Sequence, residues 1–181
     1  MSTTQYLIAG FGGQGILFAG KFLAYFGLGE DKNVSWLPSY GPEMRGGTAS
    51  CSVIVSDTPV GSPIVQKPDV LIAMNLPSLD KYEDSVAPGG TIYVDSTLIE
   101  RKVKRSDVKV VYLPATRLAD EEKISTLANM IIMGRVLYDN GSFDKDDLVL
   151  AALKKVISAK RADMLDVNLG ALRIGKDYKG E

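Results

Sequence analysis

A chain of 181 residues has room for one self-sufficient core, and 45% hydrophobic with 24% charged residues is ordinary globular composition. The 21 basic and 22 acidic side chains leave a formal charge of -1, which offers no electrostatic footprint for nucleic acid or an anionic membrane. There is no histidine and one cysteine, Cys51. Ser-His-Asp and Cys-His nucleophile pairs, histidine bases, His-containing zinc sites, internal disulfides and a self-supplied iron–sulfur cluster are therefore excluded.

The opening MSTTQYLIAG has neither the basic segment nor the apolar run of a secretory signal, and the chain reads as cytoplasmic. Gln5 to Ala9 is a short apolar run that suits a buried strand. Ile16 to Phe26, apolar nearly all round, predicts a buried helix that Gly27 and Gly29 end. Asn33 to Leu37 predicts a strand stopped by Pro38. The loop SYGPEMRGG follows, from Ser39 to Gly47. Thr48 to Ser56 alternates Ala49, Cys51, Val53 and Val55 against serines, the clearest strand in the chain. Val70–Met74, Thr91–Asp95 and Val108–Leu113 complete the strands, with a short helix at Leu76–Tyr82 and a turn at Pro88-Gly89-Gly90.

The last third is helical. Ile124, Leu127, Ala128, Ile131 and Met133 to Leu137 follow helical spacing up to Asn140-Gly141. Asp144 and Asp147 predict a capping box before Leu148, Leu153, Val156 and Ile157, with Lys154, Lys155, Lys160 and Arg161 toward that helix's C-terminus. Residues 163–181 read as a tail or short helix. No repeat or linker divides residues 1–181, which form a single three-layer α/β domain. Its expected features are a Rossmann-like βα start, a largely parallel or mixed sheet and a helical C-terminal third.

Gly10-Phe11-Gly12-Gly13-Gln14-Gly15 is a G-x-G-x-x-G after a predicted strand and opening a helix. Gly10 permits a tight turn, Gly12 lets phosphates approach the backbone, and Gly15 allows close helix–strand packing. Free amides at the helix start then face an anion. The competing reading is a turn that serves packing alone. A NAD site needs an acid at the end of the second strand, but that strand ends Leu37-Pro38-Ser39, so NAD is disfavoured. NADP, through Ser39 or Arg45, stays open. Gly15–Lys21 and Gly170–Lys176 mimic P-loops, yet Phe22 and Asp177 stand where Ser or Thr must hold magnesium.

The segment Tyr40 to Gly47 combines turn formers with Tyr40, Met44, Glu43 and Arg45, a composition that suits a binding loop. Arg45 fits a phosphate or carboxylate. The alternative is a Glu43–Arg45 surface pair on an ordinary connection. Cys51, mid-strand on an apolar face, reads as a buried structural thiol.

GFGGQGI after the first strand, SYGPEMRGGTASCSVIVSD, and the following SP…KPDVLIAMN resemble the gamma subunits of the 2-oxoacid:ferredoxin oxidoreductases, nearest the 2-oxoglutarate type, over residues 5–160. The resemblance implies an α/β layer packed near a thiamine site and involved in coenzyme A handling. The complex converts a 2-oxoacid and coenzyme A into acyl-CoA, carbon dioxide and reduced ferredoxin. It further implies partners: alpha and beta subunits that bind thiamine diphosphate with magnesium, and a ferredoxin-like subunit with iron–sulfur clusters. This chain holds no GDG segment of the thiamine-binding kind. No catalytic or metal residue is expected on it, and no tightly bound cofactor. Gly10, Gly12, Gly13, Gln14, Gly15, Tyr40, Arg45, Gly46 and Gly47 are the cofactor-binding candidates, expected to face the active-site mouth, where the glycine loop meets either coenzyme A or partner protein. Two rival readings are a free-standing NADP- or nucleotide-binding reductase domain and a purely structural assembly subunit.

Overall fold

The computed structural model describes residues 2–39 and 48–180. Six strands form one mixed sheet: β1 (Thr3–Phe11), β2 (Asn33–Ser39), β3 (Thr48–Ser56), β4 (Val70–Ala73), β5 (Thr91–Asp95) and β6 (Lys109–Leu113). The helices are α1 (Ile16–Gly29), α2 (Leu76–Tyr82), α3 (Ala115–Glu121), α4 (Ala128–Asp139), α5 (Asp146–Val156) and α6 (Met164–Asp177). The order across the sheet is β2-β3-β1-β4-β5-β6. β3 runs antiparallel to both neighbours, and β1, β4, β5 and β6 are mutually parallel.

Central strands of such a sheet are covered on both faces, which is why β1 reads as a continuous apolar run rather than an alternation. Tyr6 and Ile8 join Cys51, Val53, Ile72 and Tyr93 beneath α1, α4, α5 and α6. Leu7 points to the other face, with Leu71, Ala73, Ile92 and Val94 under Leu79, Val86 and Ile99. That thinner layer consists of α2 and the connection 96–108. Arg101 ties it down by pairing with Asp80 and, at 2.7 Å, with the buried carboxylate of Glu83. Arg105 adds a hydrogen bond of 2.6 Å to the Val86 carbonyl. The three-layer α/β architecture expected from the pattern is therefore present.

Several local expectations differ. α1 runs through Gly27 and Gly29 and ends at Glu30–Asp31, where Asp31 takes φ 57°. Gly27 serves packing, since a Cβ there would lie 3.0 Å from Val34 and 3.1 Å from Val55. β2 passes through Pro38 because it is an edge strand, where a proline need not donate to a neighbour. The capping box does not form: Lys145 occupies the cap position of α5, and Asp144 instead meets Lys176 at 3.4 Å. Asp146 and Asp147 still place acid in the first turn and Lys154 and Lys155 place base in the last, as the helix dipole favours. α3 was not legible in the pattern at all.

The C-terminal segment is more than a short tail. α6 spans 14 residues and buries Ala171 and Leu172 completely. Its backbone presses on α4 so closely that a Cβ on Gly134 would sit 1.9 Å from the Leu172 carbonyl oxygen, and one on Gly175 1.7 Å from that of Ile131. Both apparent P-loops lie mostly within helices, the first in α1 and the second in α6. Among the described residues no helix is long and apolar enough to cross a membrane.

Candidate functional site

The chain leaves β1 through α1 on one face of the sheet and leaves β4 through α2 on the other. Between the carboxyl ends of β1 and β4, successive connections therefore diverge to opposite faces. Open α/β sheets bind ligands in the crevice at such a switch point. Here the glycine loop lies at that position. Gly13 and Gln14 line a cavity of about 240 Å³ with Met74, Leu98, Thr116 and Ser125.

The loop's glycines divide the work differently from the sequence expectation. Gly10 is a strand residue opposite Ala49, not a turn residue. Its missing Cβ leaves room for Gln14, whose Oε1 it would meet at 2.4 Å, and for Ile16 and Met74. The turn is made by Gly13 at φ 91° and Gly15 at φ 73°, backbone that side chains rarely adopt. Gly15 packs against α4 rather than a strand, where a Cβ would fall 2.4 Å from Asn129 Nδ2. Gly12 and Gly13 are exposed. Among the described residues no side chain caps α1, and the first turn of this 14-residue helix holds no acid, so no carboxylate there offsets the positive end of its dipole.

Gln14 does not project to solvent as a free ligand. Its Oε1 accepts from the Phe11 amide at 2.6 Å and its Nε2 donates to the Met74 carbonyl at 3.0 Å, bridging the ends of β1 and β4. Asn129 holds the other end of the loop, Nδ2 donating to the Gly15 carbonyl at 2.9 Å. Neither the sequence spacing nor composition singles out Asn129, a polar residue at the start of the largely apolar α4. Its Oδ1 is buried without a partner among the described residues, as is that of Asn168 in α6. One such bond contributes about 1 kcal/mol net, while an unmade buried acceptor costs about 1–3 kcal/mol. Asn129 is thus a poor choice for stability alone.

A second cavity of about 320 Å³ lies beyond Gly15, lined by Phe18, Asn129, Ile157, Met164 and Asn168 with Arg161 as its cation. Thr126 borders both cavities. Arg161, expected at the end of a helix, instead belongs to a separate turn, Ala159–Arg161. The crevice wall opposite the loop is braced by Asp95 at the end of β5. Its buried carboxylate accepts from Thr116 Oγ1 at 2.6 Å and the Thr97 amide at 3.1 Å. Burial pushes its pKa up against the lowering effect of those bonds.

Tyr40, Arg45, Gly46 and Gly47 fall outside the described residues. Their flanks are placed: Ser39 lies opposite Ser50, and Thr48 opposite Phe11 at the start of the glycine loop. Cys51 is 1% exposed, and burial pushes its thiol up to about 12. Its Sγ donates to the Ile16 carbonyl at 3.5 Å. A neutral, enclosed thiol does not suit an iron–sulfur cluster, and it stands alone.

Fold and crevice define an α/β domain with a glycine loop at a sheet switch point. The profile of the pyruvate ferredoxin/flavodoxin oxidoreductase family matches residues 5–178, and the chain belongs to that family. It is 40% identical over 174 residues to the ketoisovalerate oxidoreductase subunit VorA of Methanothermobacter thermautotrophicus, covering 96% of this chain but 36% of VorA. The chain thus spans about a third of that relative's length. It is 37% identical to the 2-oxoglutarate synthase subunit KorC of Methanocaldococcus jannaschii, covering 82% of this chain and 81% of KorC. The gamma subunit of a keto/oxoacid ferredoxin oxidoreductase from Geobacter sulfurreducens superposes with a TM-score of 0.84 at 25% identity, covering 98% of this chain and 96% of that one. A 2-oxoglutarate:ferredoxin oxidoreductase chain from Magnetococcus marinus shares the fold, with a TM-score of 0.85 at 24% identity over 97% of this chain and 31% of that one.

Proposed function

We propose that this chain is the gamma subunit of a 2-oxoacid:ferredoxin oxidoreductase complex and supplies the wall that coenzyme A meets. The observation that carries this is the uncapped start of α1 behind exposed Gly12 and Gly13, at the switch point of a family-member sheet. In this reading the thiamine-binding alpha and beta subunits and a ferredoxin-like subunit of the same cytoplasmic complex are the partners. Thiamine diphosphate, magnesium and iron–sulfur clusters reside on them and carry decarboxylation and electron transfer. The chain itself orients the diphosphate and 3′-phosphate end of coenzyme A: glycine-loop amides and the α1 dipole attract the anion, and Arg45 and Arg161 offer cations.

The substrate we favour is 2-oxoglutarate, supported by the match to KorC across most of both chains. The 40% identity to VorA supports a branched-chain oxoacid as the second reading. An NADP-binding role is weakened by β3, which inserts antiparallel between β1 and β2 and separates the second strand from the loop. The test is to reconstitute the complex and assay coenzyme A-dependent ferredoxin reduction with 2-oxoglutarate and with 3-methyl-2-oxobutanoate. Turnover with the first and little with the second supports the proposal. Turnover by this chain alone, or no dependence on it, would contradict it.

A further inference from the structure

We infer that Asn129 is a positioning residue for the glycine loop, fixing from α4 the geometry in which the β1–α1 connection meets its anionic ligand. This rests on the reading of the loop as facing coenzyme A. Asn129 is 3% exposed and lies in the first turn of α4, 114 residues beyond the Gly15 carbonyl that it holds at 2.9 Å. The two positions fit as a pair: Gly15 has no Cβ because Asn129 Nδ2 occupies that place. Gly15 sits at φ 73° in the cap position of α1, with no side-chain cap of its own.

Two side-chain amides therefore hold the loop from opposite ends. Gln14 fastens its entry to the end of β4 through Phe11 and Met74, and Asn129 fastens its exit to α4. Exposed Gly12 and Gly13 lie between them, without side chains. The unpartnered Oδ1 of Asn129 points the same way. An apolar side chain here would bury no orphan acceptor, so what the amide contributes is the bond it donates. Supporting groups of this kind decide whether a binding loop is held to the tolerance that recognition requires.

The test compares Asn129→Leu and Asn129→Ala with the unchanged full chain, then with the reconstituted complex. Asn129→Leu should unfold at about the same temperature, because the buried orphan it removes offsets the bulk its methyls add. The amide resonances of Gly12, Gly13 and Gly15 should move in the full chain while those of β2 and α2, away from α4, stay in place. In the complex the KM for coenzyme A should rise about fivefold while kcat changes less than about twofold, the signature of lost binding geometry. Unmoved loop resonances overturn the inference. So does an unchanged KM when Gly12→Asp raises it, and so does unfolding of both variants, which makes Asn129 a packing residue. If the resonances move but neither Asn129→Leu nor Gly12→Asp alters KM, the positioning role stands and the coenzyme A reading falls.

Discussion

Glycine does opposite work in two regions of this molecule. Where α4 crosses α6, Gly134 and Gly175 are buried, and an added methyl would strike a carbonyl oxygen at 1.9 Å and 1.7 Å. In the β1–α1 loop, Gly13 has no described residue, beyond its chain neighbours, within 4 Å of where its Cβ would stand. The first pair lets two backbones touch, while the second keeps a backbone bare. Stability should therefore be sensitive at the helix crossing and ligand affinity at the loop.

The largest effect belongs to the crossing. Gly175→Ala forces a methyl into backbone that cannot rotate away, and overpacking of this kind costs about 1–3 kcal/mol, or more where nothing yields. Thermal unfolding should show a marked fall in midpoint, and the KM for coenzyme A of whatever complex assembles should stay within about twofold. An unshifted midpoint would break the comparison on its structural side.

Gly13→Ala should do the reverse. The methyl has room among the described residues, so its penalty is the positive φ, about 1 kcal/mol, within the range for a non-glycine residue in strained backbone. KM for coenzyme A should rise more than stability falls, as enzyme kinetics and melting on the same preparation would show.

Arg45→Ala should weaken coenzyme A use or assembly by about 1–3 kcal/mol, the loss of a charge-assisted hydrogen bond. Arg45→Lys should recover only part of this, because an ammonium lacks the planar fork. Unchanged affinity and KM in the alanine variant would leave the segment an ordinary connection.

The smallest effect lies away from both regions. Asp57, paired with Lys32 and bonded by the Ser2 amide, has its pKa lowered from 3.8 to about 2. A lowered folded-state value means its stabilisation is present above pH 3.8 and is lost as pH falls through about 2. Asp57→Asn should flatten that part of the acid-unfolding curve slightly, and salt should do likewise, since the pair is exposed. A curve that keeps its slope in both would remove the pair from the account.

Local pattern made much of this legible. Thr48–Ser56, Leu76–Tyr82 and Thr91–Asp95 coincide with β3, α2 and β5 because each stretch carries its own period or turn signals. The glycine loop was legible because its spacing is a local consequence of a strand feeding a helix. What stayed hidden depends on distant partners. That β3 separates β1 from β2 is set by pairing across the sheet, which no local window contains. Asn129 gained its meaning only when α4 came to rest beside Gly15, and the length of α6 depends on the face that α4 offers it. Gly134 and Gly175 read locally as weak points in helices, and only the crossing explains them.

In the proposed function, the bare loop at the sheet switch point receives the anionic end of coenzyme A. Gly12→Asp tests it most directly, because it places a negative charge where the phosphates should lie and alters an exposed position. The measurement is the KM for coenzyme A of the reconstituted oxidoreductase, with the melting temperature of the variant chain taken alongside. A rise of about tenfold or more, equivalent to about 1.4 kcal/mol of lost binding, is expected with little change in melting. An unchanged KM in a folded, assembled variant would contradict it.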